Sequence, residues 1–174
     1  LLAALTGISG KPYPFLPRHF TLVDWFSIGL PGLFLALAPS EELVKPHFLR
    51  RTLLFSVPAG ACAAIATYAV FVFSRARGDT LVETRTASTI TLLSLGLVVL
   101  VVTSRPIVPW KLVLAASMGG FYAAVLAVGP LRRYFEMTLP PAATWAVLVV
   151  AVALGTAGVL TLPARVARSP RFAA

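Results

Sequence analysis

Of the 174 residues, 58% are hydrophobic and only 12% are charged, and the mean hydropathy is +0.88. A soluble domain carries about 25% charged residues; half that fraction leaves too little polar surface to wet a globule, so a soluble fold does not fit. The net charge of +9 does not point to nucleic acid either. No basic run is interleaved with aromatics as a strand-binding groove requires, whereas loop Lys and Arg of a membrane protein meet anionic headgroups.

A spanning helix needs about 20 mostly apolar residues. Residues 1–8 are apolar but too short to span alone, and no basic stretch precedes them as a signal peptide would require. With no initiator Met, the chain is expected to be cut from something longer, and residues 1–9 to be the end of a truncated membrane helix. Gly10, Lys11, Pro12, Pro14 and Pro17 then form a turn-rich loop. The first full span is predicted from residue 16 or 20 to residue 38, closed by Pro39. A polar loop, 40–51, follows with Glu41, Glu42, Lys45, His47, Arg50 and Arg51.

The next span, 52–74, contains Pro58 and leads into a loop holding Arg75, Arg77, Gly78, Asp79, Glu83 and Arg85. Residues 86–103 form the third full span. Arg105, Pro106 and Pro109 turn the chain into the fourth, 110–128. A connection, 129–136, and the pair Pro140–Pro141 lead to the last, 142–162; proline is tolerated at helix starts, where its missing N–H costs nothing. Trp110, Tyr134 and Trp145 fall near predicted helix ends, as interfacial anchors do. The fold class predicted is all-α. It is a polytopic bundle of five full membrane helices over 10–163, after a truncated first helix and before a polar basic tail, 164–174, with Arg165, Arg168 and Arg171. Its constant partner is the lipid bilayer.

Most polar or small positions have a structural reading. Ala59, Ala63 and Ala66, with Gly155 and Gly158, make small-residue stripes that let helices approach closely. Cys62, the sole cysteine, can build neither a disulfide nor a thiolate cluster within the chain and reads as a small apolar residue. Ser88, Thr91 and Ser94 form a polar stripe expected to hydrogen-bond between helices. Glu83 and Glu136 are expected in solvated loops, and His19 and His47 lie on opposite sides, too far apart to share a metal. Alternating the loops gives Lys45, Arg50, Arg51, Arg105, Lys111, Arg165, Arg168 and Arg171 on one side. Lys11, Arg18, Arg75, Arg77, Arg85, Arg132 and Arg133 fall on the other. That balance fixes no orientation.

Asp24 is the exception. It is the acid lying well inside a predicted span, where insertion costs about 2.5–3.5 kcal/mol. A partner, a proton or a bound cation must offset that cost. Ser27, three residues on, is expected on the same helix face. Pro31 has no N–H, so the carbonyl four residues earlier, Ser27, loses its helical donor, and Gly29 lets the backbone bend there. Carboxylate, hydroxyl and carbonyl are hard oxygen ligands of the kind that suit Ca²⁺, Mg²⁺ or Mn²⁺. The competing reading pairs Asp24 with Arg18 or His19, or makes Pro31 a plain packing kink.

The stretch FLPRHFTLVDWFSIGLPGLFLALAP, residues 15–39, resembles the sixth membrane helix and its leading loop in cation-transporting P-type ATPases. The likeness is greatest to an actinobacterial subgroup associated with calcium transport. It continues through PHFLRRTLLFSVPAG, and SIGLPGLFLALAP is its most specific part. The resemblance implies that the chain is the C-terminal transmembrane region, from the end of the fifth helix to the tenth, of a pump in a bacterial plasma membrane. It implies a sixth helix that unwinds at its Gly-x-Pro element and supplies oxygen ligands to an inorganic cation, with Ca²⁺ the candidate. By position, Asp24 falls where calcium pumps carry an amide and Ser27 on a hydroxyl ligand, while Ile28 stands where calcium and sodium pumps carry a carboxylate. The loop 40–51 would then be cytoplasmic.

The resemblance also implies Mg-ATP as the intact pump's energy source. The Asp-Lys-Thr-Gly and Thr-Gly-Glu motifs that such chemistry needs do not occur in these residues. The chain is therefore expected to bind no cofactor and catalyse nothing alone, its missing N-terminal part being the partner that does. The alternative is a small stand-alone membrane protein acting as scaffold, assembly partner or carrier subunit.

Overall fold

The computed structural model describes residues 1–37, 48–104 and 109–167, without the side chains of 48–51 and 162–167. Every regular element among them is helical. A short α1 (Leu2–Ser9) stops at Gly10, whose φ of 61° is a left-handed conformation that glycine adopts without steric cost. Then α2 (Pro17–Asp24) passes through one π-turn (Trp25–Gly29) into α3 (Leu30–Leu37). After these come α4 (Phe48–Ala76), α5 (Leu81–Thr103), α6 (Pro109–Ala127), α7 (Gly129–Tyr134) and α8 (Ala142–Ala167).

Among the described residues, five stretches are long and apolar enough to cross a membrane: Pro17–Leu37, Thr52–Ala76, Leu81–Thr103, Pro109–Ala127 and Ala142–Thr161. The protein is thus an all-α polytopic membrane protein, as its apolar runs predict. The calls on Pro39, on loop residues 40–47 including His47, on Arg105 and Pro106, and on tail residues 168–174 lie outside the described residues.

The centre of the bundle is made by α4, α5 and α8. Lipid offers no hydrophobic drive between helices, so close backbone approach must supply the attraction. A Cβ added at Gly158 would stand 2.9 Å from Cys62 Sγ; one at Gly155 would stand 2.8 Å from Leu95 Cδ2 and 3.4 Å from Ala66 Cβ. With Ala59 and Ala63 buried on α4, the small-residue stripes pack as read, and Cys62 fills part of that seam. Against this centre lie α2, the π-turn and α6, all on α5. Leu22 and Val23 thereby join Ile90 and Tyr122 in the core.

Three expectations are corrected. The third full span begins at Leu81 rather than residue 86, because Thr80 and Glu83 form a reciprocal capping box. The Glu83 carboxylate accepts from the Thr80 N–H at 2.8 Å, so Glu83 is solvated as expected but caps the first turn of a helix and does not lie in a loop. Secondly, among the described residues Ser88 and Thr91 of the polar stripe on α5 bond within their own helix and not to a neighbouring one. Ser88 Oγ donates to Thr84 O at 2.9 Å and Thr91 Oγ1 to Ala87 O at 2.9 Å, since the preceding turn's carbonyl is the nearest acceptor for a helical hydroxyl. Thirdly, the connection 129–136 contains α7, started by Pro130 in its first turn.

One end of the bundle gathers the α1–α2 loop, the α4–α5 turn and the α7–α8 connection. Arg85 Nε donates to Tyr13 O at 3.2 Å. Thr144 Oγ1 donates to the Asp79 carboxylate at 2.5 Å, and the Thr138 N–H donates to Thr86 Oγ1 at 3.2 Å. These contacts place the segments on the shared side that alternating spans require.

Candidate functional site

The broken span starts on Pro17, whose fixed φ suits a first helical position. It runs regularly to Asp24, then widens. The Leu30 N–H bonds to Trp25 O, five residues back. Pro31 supplies the reason: in an unbroken α-helix its ring would collide with the carbonyl of Ser27. One i→i+5 turn relieves that collision without unwinding the helix. Gly29 sits over the turn, where an added Cβ would meet Asp24 O at 3.5 Å, an ordinary contact.

The π register relocates the donor deficit. The α-partner of the Phe26 carbonyl would be the Leu30 N–H, which bonds to Trp25 O instead. Its π-partner would be Pro31, which has none. Phe26 O is therefore left without a backbone donor, and Ser27 O can be served only by Gly32. The orphan carbonyl expected at Ser27 thus has a second claimant one residue earlier. The Phe26 ring itself stacks on Phe121 of α6, with centroids 6.3 Å apart.

Ser27 is half-buried and turned toward α5. Its Oγ donates to Val23 O at 2.5 Å, which leaves the oxygen lone pairs free to accept or ligate. Its seat is Gly96: a Cβ there would stand 3.0 Å from Ser27 Cβ and 3.3 Å from Ser27 Oγ. Asp24 is exposed on the outward side, near Trp25 at 58% and Ile28 at 66% exposure. A π-turn holds more residues than an α-turn, so positions three apart diverge around the axis, and the shared face expected of Asp24 and Ser27 is corrected: one side chain faces outward and the other faces α5. Pro31 is buried and Gly29 exposed.

Among the described residues, no hydrogen bond or ion pair reaches the Asp24 carboxylate. The two neighbours that could neutralise it are committed elsewhere. Arg18 Nη1 donates to Tyr134 O at 2.7 Å and pairs with Glu136 at 3.2 Å. His19, fully buried, meets Phe135 O through Nε2 at 2.9 Å, and its Nδ1 accepts from the Leu16 N–H at 3.5 Å. That acceptor role at Nδ1 assigns the ring proton to Nε2. Neither residue offsets the charge of Asp24.

A carboxylate, a hydroxyl oxygen and a carbonyl without a donor therefore lie within one helical turn, on a span in contact with α5 and α6. No three His, Cys, Asp or Glu side chains gather among the described residues. Calcium takes about 6–8 oxygens, so a divalent cation at this turn needs ligands from other segments besides these. Sequence reasoning finds Asp24, Ser27, Gly29 and Pro31. It misses Gly96, the Phe26 carbonyl and the Arg18–His19 anchorage, because each depends on a partner distant in sequence or on the π register.

Over 156 residues, 87% of this chain, the protein is 35% identical to the calcium-transporting ATPase CtpE of Mycobacterium tuberculosis. It is 36% identical over 172 residues to the protein of the same name from Mycolicibacterium smegmatis. A cation-transporting ATPase, exp7, of Streptococcus pneumoniae is 28% identical over 115 residues, 66% of this chain. The chain spans 19% and 21% of the length of the two calcium-transporting relatives. No protein-family model matches the chain, and no solved structure does.

Proposed function

Since the chain belongs to the cation-transporting P-type ATPases, we propose that it is the part of such a pump's membrane domain that supplies one wall of the ion path. In this reading Asp24 and Ser27 ligate the transported cation, and Gly29 with Pro31 open the helix where it passes. The observation that carries it is the unpartnered carboxylate of Asp24, inside a membrane span and next to a proline-induced π-turn. A charge so placed is costly, and intramembrane acids are the usual mark of ion pathways.

The cation proposed is Ca²⁺, the ion named in the mycobacterial relatives and one suited to hard oxygen ligands. Ile28 offers no ligand, so a single carboxylate serves from this span. ATP chemistry, with its Mg²⁺, is assigned to the remainder of the intact protein. In vesicles reconstituted with the full-length protein, ATP is expected to drive accumulation of Ca²⁺ against its gradient. ATP-independent movement, or none with any divalent or monovalent cation, would overturn the proposal in favour of a non-transporting membrane scaffold.

A further inference from the structure

The start of the broken span is fastened to a structure 116 residues away in sequence. Three consecutive residues at the C-terminal end of α7, from its last residue onward, are engaged. Tyr134 O accepts from Arg18 Nη1 at 2.7 Å, Phe135 O accepts from His19 Nε2 at 2.9 Å, and the Glu136 carboxylate pairs with Arg18 at 3.2 Å. His19 is wholly buried in this contact, so its bond is shielded from water in a way that the half-exposed Arg18–Glu136 pair is not.

The receiving segment is itself an unusual helix end. The Glu136 N–H bonds to Arg133 O at 3.1 Å and the Met137 N–H to Arg132 O at 2.9 Å. These are the two bonds of a Schellman cap, with buried Met137 behind it. The position that glycine normally fills is Glu136, at φ 52°. A glutamate there is strained where glycine would not be. Its side chain is the one that holds Arg18.

We propose that the α7 cap is a docking platform for the ion-path helix, and that His19 and Arg18 are positioning residues. Through the cap they set the height and rotation at which the π-turn presents Asp24 and Ser27. The inference rests on the proposal that this span lines the ion path. Asp24 lies five positions after His19, little more than one helical turn, so a tilt at the anchor is carried directly into the turn that holds the ligands.

The test uses the full-length protein and Ca²⁺ as the probe, measuring the calcium concentration that half-saturates ATP hydrolysis. His19→Gln keeps an N–H donor near the place of Nε2, and it should stay within about two-fold of the parent. His19→Leu fills the space but cannot bond to Phe135 O; it should raise the half-saturating concentration about five-fold, the effect of losing one net hydrogen bond. Glu136→Gly separates positioning from folding. Relief of the left-handed glutamate should leave the thermal midpoint equal or higher, while loss of the Arg18 partner raises the half-saturating concentration about two-fold.

Unchanged calcium dependence in His19→Leu, or an equal shift in His19→Gln, overturns the docking role. So does a Glu136→Gly protein that is less stable with its calcium dependence intact, which also decides the matter should His19→Leu not fold. Asp24→Asn, assayed alongside, separates the two levels. If it alone shifts, only the docking proposal fails; if it does not shift, the ion-path reading has failed beneath it.

Discussion

In the full-length protein, Asp24→Ala is expected to abolish cation-stimulated ATP hydrolysis while leaving the protein at least as stable as before. Both halves follow from where the carboxylate lies. It sits seven residues into a 21-residue span, where an acid costs about 2.5–3.5 kcal/mol of insertion free energy. Arg18 and His19 are bonded to the α7–α8 connection instead of to it. Removing an uncompensated intramembrane charge should therefore help the fold. For binding, loss of an outer-shell partner of a metal ligand already costs about 10–100-fold in affinity. Loss of the ligand itself should cost about 100-fold or more. Asp24→Asn keeps one neutral oxygen ligand and should fall between the two. Calcium-activation curves and thermal unfolding in detergent check both halves; an Asp24→Ala protein with ordinary cation dependence would show that the carboxylate is no ligand.

Gly96→Val is also expected to weaken cation binding, less severely than loss of Asp24 but through a residue that carries no ligand at all. The π-turn leans on α5 at this glycine. A Cβ there would come within 3.0 Å of Ser27 Cβ, an atom fixed to the backbone that cannot swing aside as a long side chain would. Overfilling such a contact costs about 1–3 kcal/mol, relieved here by pushing the π-turn away from α5. Ser27 Oγ, 3.3 Å from the same added atom, moves with it. The half-saturating calcium concentration should rise about ten-fold, with Gly96→Ala in between. Gly120, on α6, has open space where its Cβ would be, so Gly120→Val serves as the control and should leave calcium dependence unchanged. Equal curves for the Gly96 and Gly120 variants would show that the π-turn needs no close seat.

The elements legible in the sequence were those governed by composition and by single residues. Apolar runs of about 20 residues can be little else than membrane helices, and the five spans fall where those runs do. The place of the break was legible too, because Pro31 removes a donor whatever surrounds it. The form of the break was not: choosing a π-turn over unwinding depends on how the whole span packs against α5 and α6. That choice moves the donor deficit toward Phe26, one residue from where α-helical counting puts it.

The start of α5 had a local signal, Thr80 followed three residues later by Glu83. The charges of Glu83 and Arg85 mask it, because they interrupt the apolar run by which a membrane helix is recognised. Hydroxyl stripes marked the inward face of α5 but not the partners, because each hydroxyl could equally reach its own helix or a neighbour. The anchorage of Arg18 and His19 was invisible for a simpler reason, since its acceptors are mostly backbone carbonyls, which every residue possesses.

The most direct test is to locate the transported cation in the full-length protein, by an anomalous-scattering or cryo-electron microscopy density for Ca²⁺ or Mn²⁺. A peak is expected about 2.3–2.6 Å from an Asp24 carboxylate oxygen for calcium, with Ser27 Oγ in the same shell and the remaining oxygens supplied by other segments. A bound cation elsewhere, with the Asp24 carboxylate turned to headgroups or lipid, would contradict it.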